Sequence, residues 1–229
     1  MGLARRQCIM KHRVAFCGFA SPTVFYIACN RNGVEYIPGQ CITITHPDNS
    51  SSSGVYNIAS SPRNNKHLEF YIKIFENEKG GVSKALSNVV IGNEIELSEP
   101  HGDFTPGKDC EDQKYVYIAT GAGISPFLSA LGYYSHNPLM ILHGGKTQAD
   151  CIEGWRLKTD YNCKFAVSQE ETRFPKKITE WFSELPTNDS KIKYYICGAD
   201  SMIIDNVQYL SDHGVTYDKI QTEYYHATR

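Results

Sequence analysis

No two cysteines of this 229-residue chain stand in a CxxC spacing. Cys8, Cys17, Cys29, Cys41, Cys110, Cys151, Cys163 and Cys197 are scattered, so the short ligand spacings of a zinc site or a plant-type iron–sulfur loop are missing and no metal is expected. No apolar run approaches the roughly 20 residues that a spanning helix needs. No uninterrupted apolar stretch follows the basic residues of Met1–Arg13, which predicts no signal peptide and a cytoplasmic protein. An excess of positive charge is also missing. The formal net charge is −2, so neither nucleic acid nor an anionic membrane is an expected partner. There is no internal repeat. In a reducing compartment the cysteines are expected as reduced thiols, buried as small apolar residues, with Cys197 as the exception.

What is present is enough apolar material, 41% of the chain, for one large or two small domains. The first half reads as short strands rich in β-branched and aromatic residues: Val14–Phe19, Thr23–Cys29, Cys41–Thr45, Val55–Ala59, Leu68–Ile74 and Glu94–Leu97. Turn signals separate them at Ser21-Pro22, Asn30–Gly33 and Pro38-Gly39. Many short strands at this spacing predict a closed antiparallel β-barrel. Gly81–Asn88 is its one clear helix, and Ser50–Ser53 reads as a flexible polar loop. After Gly107 the pattern changes. Tyr115–Ala119 is a continuous apolar strand, with Leu139–His143, Lys164–Ser168 and Lys193–Cys197 as further strands and helices between them, such as Ile178–Leu185 and Ser201–His213. That alternation predicts a doubly wound parallel sheet. The expected domains are residues 1–108 and 109–229, divided in the polar stretch Pro106–Gln113.

Five places carry candidate chemistry, and each has a plain alternative. Thr120-Gly121-Ala122-Gly123 follows a strand and opens a helix, where free backbone N–H groups and the helix dipole favour a phosphate; otherwise it is an ordinary strand–helix turn. Gly80-Gly81-Val82-Ser83 is a second anion nest, or a turn with Ser83 as the helix cap. In Val55–Pro62, Tyr56 offers a ring for stacking and Asn57 both a donor and an acceptor; otherwise this is a strand end. Cys197-Gly198 ends a parallel strand, where ligands of open α/β sheets bind and a thiol faces the crevice; the alternative is a buried structural cysteine. Glu223, in the apolar C-terminal strand with Tyr224 and Tyr225, is either a working carboxylate or a solvated strand end.

The order of these features resembles that of the ferredoxin–NADP reductase superfamily over nearly the whole chain, from Val14 to Tyr225. Tyr36-Ile37-Pro38-Gly39-Gln40 is similar to the family's aromatic-x-Pro-Gly-Gln motif. Tyr56–Pro62 is similar to its flavin strand, Ile72-Lys73 and Gly80–Ser83 to its pyrophosphate-binding region, and Pro100–Phe104 to the Pro-x-Gly-x-Phe that ends the barrel. Thr120–Pro126, His143–Lys146 and Tyr195–Gly198 match the nicotinamide-nucleotide half in the expected order.

The resemblance implies a flavin-dependent NAD(P)H oxidoreductase that binds FAD, or FMN, and passes a hydride from NADPH or NADH to the flavin. Electrons then go to a separate ferredoxin, flavodoxin or oxygenase component, and the protein is expected to be a monomer. Cys197, Glu223 and Asn57 are the implied catalytic residues. The implied flavin contacts are Tyr56, Asn57, Ile58, Ala59, Ser60, Ile72, Lys73, Gly80, Gly81, Val82 and Ser83. Those for the nucleotide are Thr120, Gly121, Gly123, Ile124, Ser125, Pro126, Gly144, Ser168, Lys177, Cys197 and Gly198, with a C-terminal aromatic, Tyr225 or Tyr224, covering a flavin face. Ser168 with Arg173, Lys176 and Lys177 points to NADPH, although Gln169 stands where the family's NADPH members carry Arg. Two other departures concern the flavin. Gly54 replaces the arginine that grips the flavin phosphate, and Asn57 replaces the Ser or Thr that faces the flavin N5. A lost charge-assisted bond weakens flavin binding by about 1.5–3 kcal/mol, with Lys73 or Arg63 as candidate compensation. The alternatives are a relative that has lost flavin, or the electron-transfer subunit of a larger complex.

Overall fold

The computed structural model describes residues 9–47, 49–75, 81–108, 114–135 and 137–225. Its first half is a curled antiparallel sheet of six strands: β1 (Met10–Ser21), β2 (Val24–Asn30), β3 (Cys41–His46), β4 (Asn49–Asn57), β5 (His67–Lys73) and β6 (Glu94–Leu97). The strand order is β4-β3-β6-β1-β2-β5. The expected barrel is therefore a half-barrel. β4 and β5 form the two edges, and the backbone N–H of Ala59 bridges them beyond the end of β4 by donating to Glu69 O at 2.8 Å. In β5 burial alternates, with Leu68, Phe70 and Ile72 inside, as a half-buried strand requires. The curled sheet wraps these residues around Val14, Ile27, Ile42, Ile44, Ile58 and Leu97.

Ser50–Ser53 is not a loop. It belongs to β4, with Ser53 opposite Thr45 and Asn49 opposite His46 on β3. The pairing uses backbone groups, so a polar serine run is no obstacle at the edge of a sheet.

A short helix, α1 (Val82–Leu86), packs against β3 and β4 and adds Val82 and Leu86 to that core. Its cap is Gly81, not Ser83, and no side chain caps it. Gly80 lies outside the described residues.

The second half is a five-stranded sheet, every pair parallel: β7 (Lys114–Thr120), β8 (Met140–Gly145), β9 (Cys163–Val167), β10 (Ile192–Gly198) and β11 (Ile220–Tyr224), in the order β11-β10-β7-β8-β9. Both faces are covered, which explains the unbroken apolar run of β7. Tyr115, Tyr117 and Ala119 face one core with α2 (Ser125–Tyr133) and α3 (Gly154–Asp160). Val116 and Ile118 face the other, with α4 (Asp200–Asp212) and the 3₁₀ segment Ile178–Glu184. The sheet is doubly wound, as the sequence predicts. Val24 and Phe104 of the first half join the first of these cores, and Phe104 meets the rings of Phe127 and Tyr195. The two halves thus share apolar packing. Among the described residues no helix is long and apolar enough to cross a membrane.

Candidate active site

The two halves meet where the end of β4 faces the turn after β7. Ser60 is the anchor on the first side. Its carbonyl accepts the Tyr36 hydroxyl at 2.9 Å and the Ser129 hydroxyl of α2 at 2.7 Å. Gly132 of α2 lies so close to Ser61 that an added Cβ would stand 2.8 Å from its Cβ. The flavin strand of the resemblance, Tyr56–Ser60, is therefore fixed directly against the helix that follows Thr120–Ile124.

On the barrel side, Asn57 is buried and donates an amide hydrogen to Gly39 O at 3.1 Å. Gly39 has φ +96°, and an added Cβ would lie 2.1 Å from Phe104 O, so only glycine allows this approach. Ile58 and Ala59 are buried. Tyr56 is half-buried and its ring lies over Gly54, whose added Cβ would meet the Tyr56 hydroxyl oxygen at 2.7 Å. The Tyr56 ring fills the space beside Gly54. Val82 and Ser83 are buried at the base of α1. Ile72 and Lys73 are not brought to the same place. Ile72 is inside the barrel core, and the Lys73 ammonium donates to the Thr23 hydroxyl on the seam with the second half.

On the α/β side, the turn after β7 is a 3₁₀ segment, Gly121–Ile124, leading into α2. Gly121 has φ +52° and open space where a Cβ would stand. Gly123 does the opposite work: an added Cβ would lie 2.3 Å from Cys197 O, backbone against backbone. The expectation of an open helix N-terminus is corrected here. Ser125 and Pro126 are buried, and the Ser125 hydroxyl donates to Ala122 O at 2.7 Å. Only Thr120 and Gly121 of this turn reach the surface. The Thr120 hydroxyl accepts the Ala199 N–H at 3.0 Å, and Gly198, at φ +144°, leaves space for that oxygen. Gly144 is buried beside Thr120 on β8, tight against Ile178.

Cys197 is 0% exposed, which corrects the expectation of a thiol open to the crevice. Tyr225 packs over the same core and donates its hydroxyl to Ala122 O at 2.9 Å. Burial pushes the Cys197 thiol well above its usual range, and the carboxylate of Glu223, its register partner on β11, pushes the same way. Glu223 also acts on Cys41 across the seam, whose thiol burial and that charge push up to about 11. A nucleophilic thiolate is therefore disfavoured at both cysteines.

Ser168 and Lys177 are exposed beyond β9. Lys176 is already engaged, by Glu170 O at 2.9 Å and the Glu171 carboxylate at 3.0 Å. The Glu170 carboxylate accepts the Gln148 N–H at 2.6 Å.

Sequence reasoning missed three residues. His101 contacts the Cys41 sulfur at 3.3 Å and the Thr43 hydroxyl at 3.0 Å; its place inside Pro100–Phe104 was a signal. His143 is fully buried, with Nε2 3.3 Å from Gly121 O and Nδ1 without a partner. Burial lowers its pKa to about 4, against the opposing effects of the Gly121 carbonyl and Asp150, so the ring is neutral and Nε2 can donate to the Gly121 carbonyl. Asp150 is buried at the seam, and the capping-box spacing Thr147-Gln148-Ala149-Asp150 was its signal.

Residues 17–105 match the family described as the oxidoreductase FAD-binding domain. The chain is 25% identical over 208 residues to the reductase component of propane 2-monooxygenase from Rhodococcus jostii, covering 82% of this chain and 55% of that protein. It spans little more than half the length of the curated relatives it matches. The structure superposes on a ferredoxin NADP+ reductase from Neisseria gonorrhoeae, solved with bound FAD and NADP, with a TM-score of 0.80 at 18% identity, covering 94% of this chain and 98% of that one. Phthalate dioxygenase reductase superposes with a TM-score of 0.81 at 16% identity, covering 96% and 69%.

Proposed function

We propose that this chain, which has the fold of the ferredoxin–NADP reductases and matches an FAD-binding domain over residues 17–105, is a member of that superfamily and an NAD(P)H-dependent flavoprotein reductase serving a separate electron acceptor. One observation carries this reading: the Ser129 hydroxyl holds Ser60 O at 2.7 Å, which brings the strand of Tyr56 and Asn57 against the turn of Thr120–Pro126. The flavin group belongs on the first half, against Tyr56, Asn57, Ile58–Ser60 and Gly81–Ser83. The nicotinamide nucleotide belongs on the second, against Thr120–Gly123, Gly144, Ser168, Cys197 and Gly198. The division between the two halves falls near residue 108.

The donor set fits such a group. Tyr56 supplies a ring, Asn57 an amide already fixed by Gly39, and Gly121 the open backbone a planar ligand can approach. A bound flavin supplies the redox chemistry, taking a hydride from the reduced nicotinamide and releasing electrons singly. The chain's own contribution is alignment and exclusion of water. Tyr225 covers Cys197 and must leave before a nicotinamide ring can lie there. The Glu223 carboxylate lies close enough to act on both buried thiols.

NADPH as donor rests on Ser168, Arg173, Lys176 and Lys177. A second reading, NADH, is favoured by the commitment of Lys176 to Glu171 and by a second carboxylate, Glu170, in the same loop. The acceptor is a ferredoxin, a flavodoxin or an oxygenase component. We place the chain in the cytoplasm as a monomer. Purified protein should show flavin absorbance that NAD(P)H bleaches, and the kcat/KM ratio for the two nucleotides selects the donor. A colourless protein that gains no thermal stability with added FAD sinks the proposal.

A further inference from the structure

Asp150 lies in the short turn that follows His143-Gly144-Gly145, and it is 1% exposed. A buried carboxylate is costly unless it is fully hydrogen-bonded, and this one is. Oδ2 accepts the Thr147 N–H at 3.0 Å and the Thr147 hydroxyl at 3.2 Å, closing its own turn. Oδ1 reaches across to the other half and accepts the hydroxyls of Ser21 at 2.6 Å and Thr23 at 2.7 Å. The Lys73 ammonium donates to the same Thr23 oxygen. Burial alone raises the carboxyl pKa, but these hydroxyls, the Thr147 amide and the Lys73 charge hold it below the usual range. Three residues on, the Tyr71 hydroxyl of β5 donates to the Glu153 carboxylate at 3.2 Å. Glu153 takes the left-handed conformation, φ 57°, which is uncommon for a residue with a side chain. The segment between β8 and α3 therefore grips the barrel at two points, and Ser60–Ser129 ties the two halves at a third.

We infer that Asp150 is a positioning residue. Its ionised carboxylate locks the β1–β2 hairpin to the end of β8 and so fixes the gap between the flavin strand and the nicotinamide turn. Its consequence for catalysis rests on the reductase reading above. Hydride transfer depends steeply on the separation of donor and acceptor, so a seam that loosens by a fraction of an ångström slows transfer more than it weakens nucleotide binding.

The test is stopped-flow reduction of the FAD-loaded protein, with nucleotide affinity measured separately. Asp150→Asn removes the charge and places an amide among donors. Because it also disturbs the Thr147 turn, the Ser21→Ala/Thr23→Val pair probes the seam from the barrel side, leaving that turn intact. Both should slow flavin reduction by about tenfold or more, with the nucleotide Kd changed by less than about twofold and with faster amide exchange in the hairpin around Thr23 even without flavin. Thr23→Ser, which keeps the hydroxyl, should keep the wild-type rate. Unchanged reduction rates in a hairpin that exchanges faster would overturn the positioning role, as would a Kd that rises in step with the rate loss. A wild type that NAD(P)H does not reduce overturns the reductase reading instead, and the exchange measurement on the flavin-free chain tells the two failures apart.

Discussion

The two walls of the crevice are built by different means. On the α/β wall, glycines meet groups that cannot move away: Gly123 the Cys197 carbonyl, and Gly198 the Thr120 hydroxyl and backbone N, with His143 bonded beneath Gly121. The barrel wall has one contact of that kind, Gly39 against Phe104 O, but beside Gly54 it is shaped by a side chain, the Tyr56 ring. A contact of the first kind leaves no room for a new atom. A contact of the second kind can yield to a new side chain.

The comparison breaks first at Gly123. An added Cβ there would lie 2.3 Å from a carbonyl oxygen that cannot swing away, so Gly123→Ala should cost about 3 kcal/mol or leave no folded protein. A melting temperature within a degree or two of wild type would mean that the α/β wall is as yielding as the other.

A pH effect of similar size should come from His143. Its folded pKa of about 4 lies below the unfolded value near 6.5. Between these two the unfolded chain binds a proton that the folded chain does not, so stability is full above pH 6.5 and falls by about 3 kcal/mol as pH drops toward 4. His143→Gln should flatten that slope in thermal melts across the window. The Asp150 carboxylate contributes separately and only at lower pH. Its folded pKa is depressed, so its contribution is present above the unfolded value and lost as pH falls through the folded one.

The smallest effect sharpens the contrast from the barrel side. At Gly54 an added Cβ meets only the far end of the Tyr56 ring, which can turn aside. Gly54→Arg should therefore fold normally and tighten FAD by about ten- to a hundredfold, the worth of one restored phosphate contact. Fluorescence titration of the apoprotein measures it. Unchanged affinity would assign the phosphate to another residue, such as Lys73 once released from Thr23.

The same contrast explains what could be read from sequence. The run Tyr115–Ala119 and the alternating Leu68–Ile72 state their burial directly, so both sheets were legible. Ser50–Ser53 was not, because an edge strand pairs through its backbone and leaves no apolar signature. The 3₁₀ turn at Gly121–Ile124 was hidden as well, since two glycines before a helix do not say whether the helix start is open or covered. Asp150 showed its local capping box, but its partners Ser21 and Thr23 lie 129 and 127 residues away. Only the docking of the two halves brings them together. The cover over Cys197 comes from a residue 28 positions later, and nothing local to either residue announces it.

On the reductase reading, the bond from the Tyr225 hydroxyl to Ala122 O makes this residue a competitor for the nicotinamide nucleotide. Tail and coenzyme contend for one patch of surface, and the apparent affinity of the coenzyme is its intrinsic affinity scaled by the fraction of time the tail is away. A tail docked for about nine-tenths of the time weakens binding about tenfold, and one docked for about 99% weakens it about a hundredfold. The same occupancy opposes rebinding of the oxidised product once the ring has departed. On that reading a single hydroxyl, Tyr225 against Ala122 O, tunes the apparent affinity of the whole patch.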